Sequence, residues 1–279
     1  MTHTTAAAGP FSGNVCVVTG AGSGIGRALA LELALRGARL ALSDIDAAAL
    51  SQTVAMVSAN AAEVTGEQLD VADRAAVFAH AEAVRERFGA VDTVFNNAGV
   101  ALAGDVAQLR IEDFQWLMDI NFWGVVHGSQ AFLPALVDSG RGRLVNISSV
   151  FGLIAVPGQG AYNAAKFAVR GFTEALRQEQ LMAGSGVCVS CVLPGGVRTN
   201  IARSARTYTG ESAQQRDAAF TKLARTSATR AAQIIVRGAM RGDARILVGV
   251  DARIIDAVTR VLGPGYQQLV YRLAKLAPR

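Results

Sequence analysis

Tyr162 and Lys166 stand four residues apart in Tyr162-Asn163-Ala164-Ala165-Lys166, and Ser149 precedes the tyrosine by thirteen residues. A free tyrosine ionises near pKa ~10, too weak an acid to exchange protons efficiently at neutral pH. On a helix, positions i and i+4 share a face, so the Lys166 ammonium can approach the phenol. A fixed cation favours the phenolate, and a phenol with lowered pKa can trade a proton with an alcohol or a ketone. Tyr-x-x-x-Lys is also a common surface pair. The trio becomes chemistry only if the surrounding elements carry it to a cofactor and a substrate.

Those elements alternate. The residue pattern predicts strands at Val15–Thr19, Arg39–Ser43, Glu67–Leu69, Thr93–Phe95, Leu144–Ile147, Val187–Leu193 and Ile246–Val248. Helices are predicted around Gly24–Arg36, Asp73–Phe88, Ile111–Val137, Gly160–Met182 and Ala231–Arg241. Val15-Cys16-Val17-Val18 is apolar on both faces, as a parallel strand covered by helices on each side must be. Alternating β and α units with right-handed crossovers give an α/β fold: a single doubly wound, Rossmann-type domain with a parallel sheet of about seven strands. No internal repeat or composition break divides it. The expected organisation is a disordered lead-in over 1–13, a catalytic domain over 14–250 and a C-terminal helical extension over 251–279. The polar, weakly periodic segment 200–230 is read as a small helical lid over the substrate.

The first predicted strand runs directly into Thr19-Gly20-Ala21-Gly22-Ser23-Gly24-Ile25-Gly26 and then a helix. Glycines there permit a tight turn and close backbone approach to a pyrophosphate, and the helix N-terminus offers free amides. Asp44 ends the next strand, where a carboxylate accepts bonds from ribose hydroxyls and repels a 2′-phosphate. Ile45 follows it in place of a base, which favours NAD over NADP. Asp46 is a rival ribose ligand, although it sits where a helix cap belongs.

Bulk composition narrows the partners. The net charge of +5 is spread through the chain, with 51% hydrophobic and 18% charged residues. No basic stripe interleaved with aromatics invites nucleic acid. No run of eighteen apolar residues predicts a membrane span, and the N-terminus has no signal-peptide pattern, so a cytoplasmic protein is expected. The three cysteines, Cys16, Cys188 and Cys191, are read as buried small hydrophobes; Cys188 and Cys191 fall on opposite faces of one strand and cannot share a metal. His127 is expected in helix packing, His3 and His80 at the surface, and no metal site is proposed.

With these residues in hand, the chain resembles the short-chain dehydrogenase/reductase family from roughly Gly13 to Val250. The motifs occur in the family's order: the Thr19–Gly26 turn, Leu69-Asp70-Val71, Asn96-Asn97-Ala98-Gly99, Asn121, Asn146-Ile147-Ser148-Ser149, Tyr162-x-x-x-Lys166 and Pro194-Gly195-Gly196-Val197-Arg198-Thr199. The resemblance implies that Tyr162 is the general acid/base, that Ser149 (with Ser148 as its rival) holds the substrate oxygen, and that Lys166 binds the nicotinamide ribose. It implies that Asn121 supports a relay water leading from Lys166 to solvent. Gly20, Ser23, Gly24, Ile25, Gly26, Asp44 and Ile45 would meet the dinucleotide. Asp70 and Val71 would flank the adenine, and Asn97, Ala98 and Gly99 would line the cleft. Pro194, Gly195, Val197 and Thr199 would border the nicotinamide. Family members usually form dimers or tetramers through the long helices, so a homo-oligomer, a homotetramer in the fullest case, is expected.

The substrate signal is thinner. Phe151, Leu153, Ile154, Val156 and Gly196 suggest a small, uncharged, hydrophobic alcohol or ketone, while Arg203 and Arg206 leave an anionic group open. The Phe151–Gly158 stretch and the tail look similar to actinobacterial-type short-chain secondary alcohol dehydrogenases. A 3-oxoacyl-thioester reductase or a steroid- or retinoid-type reductase is the enzymatic alternative, and a nucleotide-sensing scaffold the non-enzymatic one. In the tail, Ile254, Ile255, Val258, Val261 and Leu262 recur at helical spacing. They are read as a packing helix, and the second segment, Tyr266–Lys275, as one that could rest on a membrane surface.

Overall fold

A computed structural model describes residues 11–208 and 224–276. The first half of the chain forms β1 (Val15–Thr19), α1 (Gly24–Ala34), β2 (Arg39–Asp44), α2 (Ala47–Val57), β3 (Glu63–Gln68), α3 (Arg74–Phe88), β4 (Thr93–Asn96), β5 (Leu102–Ala103), α4 (Ile111–Met118) and α5 (Gly124–Asp138). The second half forms β6 (Arg143–Ile147), α6 (Gly160–Ala183), β7 (Cys188–Pro194), β8 (Val197–Arg198), β9 (Arg206–Thr207), β10 (Thr226–Ser227), α7 (Ala228–Arg241), β11 (Arg245–Val248), α8 (Val250–Leu262) and α9 (Tyr266–Leu276).

Seven strands make one parallel sheet in the order β11-β7-β6-β4-β1-β2-β3. Its doubly apolar strands feed two cores. Cys16 and Val18 of β1 point into a layer under α1 and α7, with Leu29, Leu33 and Ile235. Val15 and Val17 point the other way, into a layer with Val84 of α3, Phe132 and Leu136 of α5 and Leu176 of α6. Each fully buried Leu or Phe contributes roughly 1.5–3 kcal/mol relative to exposure, so both faces of β1 are held strongly. Chain order reverses between β1 and β4, and the crevice opens at the carboxyl ends of the strands there, where ligands bind in such sheets.

Several expectations need correction. The lead-in does not extend to residue 13: Phe11 is fully buried in the α1 core, and the Gly13 amide donates to the Gly37 carbonyl at 3.0 Å. The third strand begins at Glu63 rather than Glu67, because Arg39 pairs with Glu63 at 2.7 Å and secures an edge strand with little apolar patterning. The predicted helix Ile111–Val137 is divided by a π-helical turn at Asp119–Trp123. His80 is buried rather than exposed, its Nδ1 2.7 Å from Glu67 and its ring edge-on to Phe132. Cys16 and Cys191 are buried and Cys188 is partly exposed; all three are free. Of the lid, residues 200–208 and 224–230 are described, and its centre and residues 1–10 lie outside the described residues. The described end of the lid docks as β9 beside β5, with Tyr208 Oη 2.5 Å from Asp113 of α4.

Candidate active site

The carboxyl ends of the strands border a cleft of about 770 Å³. At one end is the turn between β1 and α1. Gly20 has φ +65°, and a Cβ there would run into the Ala98 backbone, so the turn closes only on glycine. Asn97 locks the turn from the next loop, its Nδ2 donating to the Thr19 carbonyl at 2.9 Å. Arg27 braces it from beneath: its guanidinium donates to the Gly22 carbonyl and, at 2.9 Å, to Thr53 Oγ1. This base therefore points under the turn, away from the cleft. Ser23, Gly24 and Ile25 line the opening, and Gly26 is buried behind it against the Gly20 carbonyl.

Asp44, at the end of β2, accepts from the Gly22 amide at 2.7 Å and the Asp46 amide at 2.9 Å. A carboxylate has about four acceptor positions, so two remain for a ligand. Asp46 caps α2 through the Ala49 amide at 3.0 Å. Ile45, Asp70 and Val71 line the same end of the cleft, with Asn97, Ala98 and Gly99 along its floor.

At the opposite end Ser149, Tyr162 and Lys166 converge. Ser148 and Ser149 follow β6 with opposed directions. Ser148 is buried and donates to the Lys166 carbonyl at 2.8 Å, whereas Ser149 faces the cleft and hydrogen-bonds Tyr162. The Phe151 ring meets Tyr162 edge-on at 5.9 Å. Lys166 is 4% exposed, donates to the Ile147 carbonyl at 3.1 Å and lies 5.6 Å from the Tyr162 ring centre.

Their electrostatics differ from the expectation that Lys166 lowers the tyrosine pKa. Burial pushes the Tyr162 phenol up to about 12, with the Ser149 hydrogen bond pulling the other way. Burial also pushes Lys166 down to about 8. Desolvation dominates at both groups, because it disfavours both charged forms. Tyr162 keeps part of its surface on the cleft, where a bound cation can act on it directly.

Asn121 lies in the π-helical turn, fully buried, and its amide makes a reciprocal pair of bonds with one residue. Oδ1 accepts from the Val100 amide and Nδ2 donates to the Val100 carbonyl, both at 2.8 Å. Its side chain holds the loop after β4 through these two bonds. A π-turn shifts its amides to partners five residues back, as Gly124 does with Asp119, and so leaves a backbone carbonyl for a relay water.

Pro194, Gly195, Gly196, Val197 and Thr199 wall the cleft beside the trio, and the Thr199 side chain lies against Gly24 of the turn. Sequence reasoning missed what secures this wall. Asp251, in the first turn of α8, accepts from the Gly196 amide at 2.6 Å, and Ile255 one turn on lines the cleft. Tyr266 of α9 accepts from the Ala155 amide at 3.0 Å. Asn163, beside the tyrosine, binds the Phe151 and Ile154 carbonyls and the Val156 amide, stapling the 151–156 loop. Only Asn163 carried a signal, a polar residue on a helix face that should be apolar. Of the expected substrate residues, Phe151, Val156 and Gly196 line the cleft, while Leu153 is buried and Ile154 is partly exposed, neither lining it. Arg206 is not available to a substrate anion: it bonds Asp113 at 2.7 Å and stacks 3.6 Å over Trp116. Among the described residues no cluster of His, Cys, Asp or Glu could hold a metal ion.

Comparison with known proteins agrees with this architecture. The short chain dehydrogenase family profile matches residues 14–209. A Mycobacterium tuberculosis protein named SadH and classed as an oxidoreductase is 54% identical over 262 residues, 93% of this chain and 95% of its own. A short-chain dehydrogenase/reductase from Burkholderia phymatum, solved in complex with NAD, superposes with TM-score 0.83 at 34% identity, covering 90% of this chain and 94% of that one. Levodione reductase superposes with TM-score 0.77 at 29% identity, covering 88% and 99%. The chain belongs to the short-chain dehydrogenase/reductase family of oxidoreductases.

Proposed function

We propose that the protein is an NAD-dependent oxidoreductase that interconverts apolar secondary alcohols and ketones. The observation that carries this reading is the convergence of Ser149, Tyr162 and Lys166 at one end of an apolar-walled cleft whose other end is the glycine turn and Asp44. The turn fits a dinucleotide: side chains at Gly20 or Gly24 would fill the cradle, and the α1 N-terminus faces it. Asp44, with Arg27 turned away and Ile45 beside it, supports NAD over NADP. When bound, NAD supplies the hydride acceptor, and in its oxidised form a positive charge.

The chain's own groups handle orientation and the proton. Ser149 holds the carbinol oxygen, and Tyr162 takes the hydroxyl proton during oxidation or donates it during reduction. Lys166 fixes the ribose and joins Tyr162 to a proton path through the backbone near Asn121. We assign the protein to the cytoplasm as a dimer or tetramer formed through α4–α5 and α6, where Trp123, Phe167 and Leu181 stand exposed.

The test is NAD and NADP reduction against a panel of apolar secondary alcohols, beside Tyr162→Phe. Turnover with NAD should fall by about 10²–10⁴-fold in the variant, with NAD binding retained. Silence across the panel with intact NAD binding would turn the search to acyl thioesters, steroids or a sensing role.

A further inference from the structure

Charge on the tail is sorted by sign. Of its two described acids, Asp251 is turned inward onto the Gly196 amide and Asp256 is buried against Arg245 and Arg260. The described cations Arg253, Arg260, Arg272 and Lys275 are all exposed. Beside Arg253 and Arg260 runs an unpartnered apolar stripe on α8: Val250 (71% exposed), Ile254 (58%), Ala257 and Val261 (83%), spaced i, i+4, i+7 and i+11. Leu262, Leu269 and Tyr271 continue it across the turn into α9. The adjoining flank of α8 carries Asp251 and Ile255, which line the cleft.

We propose that the outer face of α8–α9 is a docking surface for an anionic lipid bilayer, placing the cleft beside the membrane so that apolar substrate can enter from it. Exposed apolar side chains flanked by exposed cations and by no exposed acid of the described tail match the acyl boundary and the anionic headgroups together. Pairing this face with itself in a second copy would bring cation against cation, with no exposed acid on the described tail to answer it. The stripe lies in the interface plane, since among the described residues no helix is long and apolar enough to cross a membrane. The delivery role rests on the alcohol–ketone reading; docking does not, so the two can fail separately.

The test is co-sedimentation of the full chain with phosphatidylglycerol vesicles and with phosphatidylcholine vesicles at low salt. Binding is expected to the anionic vesicles and to be lost at high salt. Arg253→Glu should weaken it by at least about fivefold, the loss expected from one removed cation. Ile254→Glu with Val261→Glu should abolish it while leaving NAD affinity and melting temperature unchanged, because both side chains point outward. Absence of co-sedimentation overturns the proposal. So does equal binding to both vesicles, or a fall in light-scattering mass in the double variant, which would make the stripe a contact between copies.

Discussion

The two ends of the cleft are built in different ways. The dinucleotide end is built mainly at short range: the turn, the helix it feeds and Asp44 lie within about thirty residues, tied by backbone amides and one braced arginine, with Asn97 and Ala98 reaching Thr19 from the loop after β4. The substrate end is long-range. Its two loops are held from the tail, Gly196 by Asp251 and Ala155 by Tyr266, across 55 and 111 residues of sequence. The matched family segment, 14–209, contains neither of these tail residues. One end is therefore common to any chain that forms the turn, while the other depends on a C-terminal tail outside the common segment.

Lys166→Met sets the strongest test of how the two ends meet. At pH 7 the buried ammonium opposes folding by on the order of 3 kcal/mol, from the displacement of its pKa from 10.5 to about 8. The variant should lose turnover yet melt higher. In the wild type that penalty is relieved as pH rises from about 8 to 10.5, where the unfolded chain holds the proton and the folded chain does not. Chemical denaturation across that window should show the advantage of the variant shrinking. Tyr162 acts in the opposite sense: its contribution is present below pH 10 and lost as pH rises toward about 12.

Asp251→Ala probes the long-range end. Freed of a 2.6 Å charge-assisted bond, the Pro194–Thr199 wall should relax, and NAD affinity should fall about tenfold while ADP-ribose, which lacks the nicotinamide, binds as before. Asp251→Asn keeps an acceptor and should recover most of the loss. Equal weakening of both ligands would erase the distinction between the two ends.

Asp44→Asn probes the short-range end. Loss of the negative charge should shift the NAD-to-NADP preference toward NADP by several-fold, measured as the ratio of kcat/KM values, without altering KM for the alcohol. The smallest effect is expected for Tyr266→Phe. Losing one exposed hydrogen bond should raise the substrate KM about threefold and leave NAD affinity unchanged.

Legibility followed the same division. Positions within a turn or a single helix could be read directly, as with Gly20 through Gly26, Asp44, and Tyr162 with Lys166. The pleat separates Ser148 from Ser149, and the structure shows them facing opposite ways. The π-turn at Asn121 was not legible, because the apolar period runs through Ile111–Val137 without a break and the extra residue appears only once Val100 packs against it. His80 looked like a surface residue until β3 brought Glu67 alongside it.

The sequence alone therefore determined the doubly wound fold, the glycine turn after β1 and the spacing of Tyr162 and Lys166 on one helix face, since each rests on period, local sterics or neighbours within a few residues. Only the tertiary structure decided that burial moves Tyr162 and Lys166 in opposite directions, that Arg27 and Arg206 are engaged elsewhere, and that Asp251 and Tyr266 hold the Gly196 and Ala155 loops. Those outcomes depend on desolvation and on contacts between distant segments, and neither quantity exists until the chain has folded.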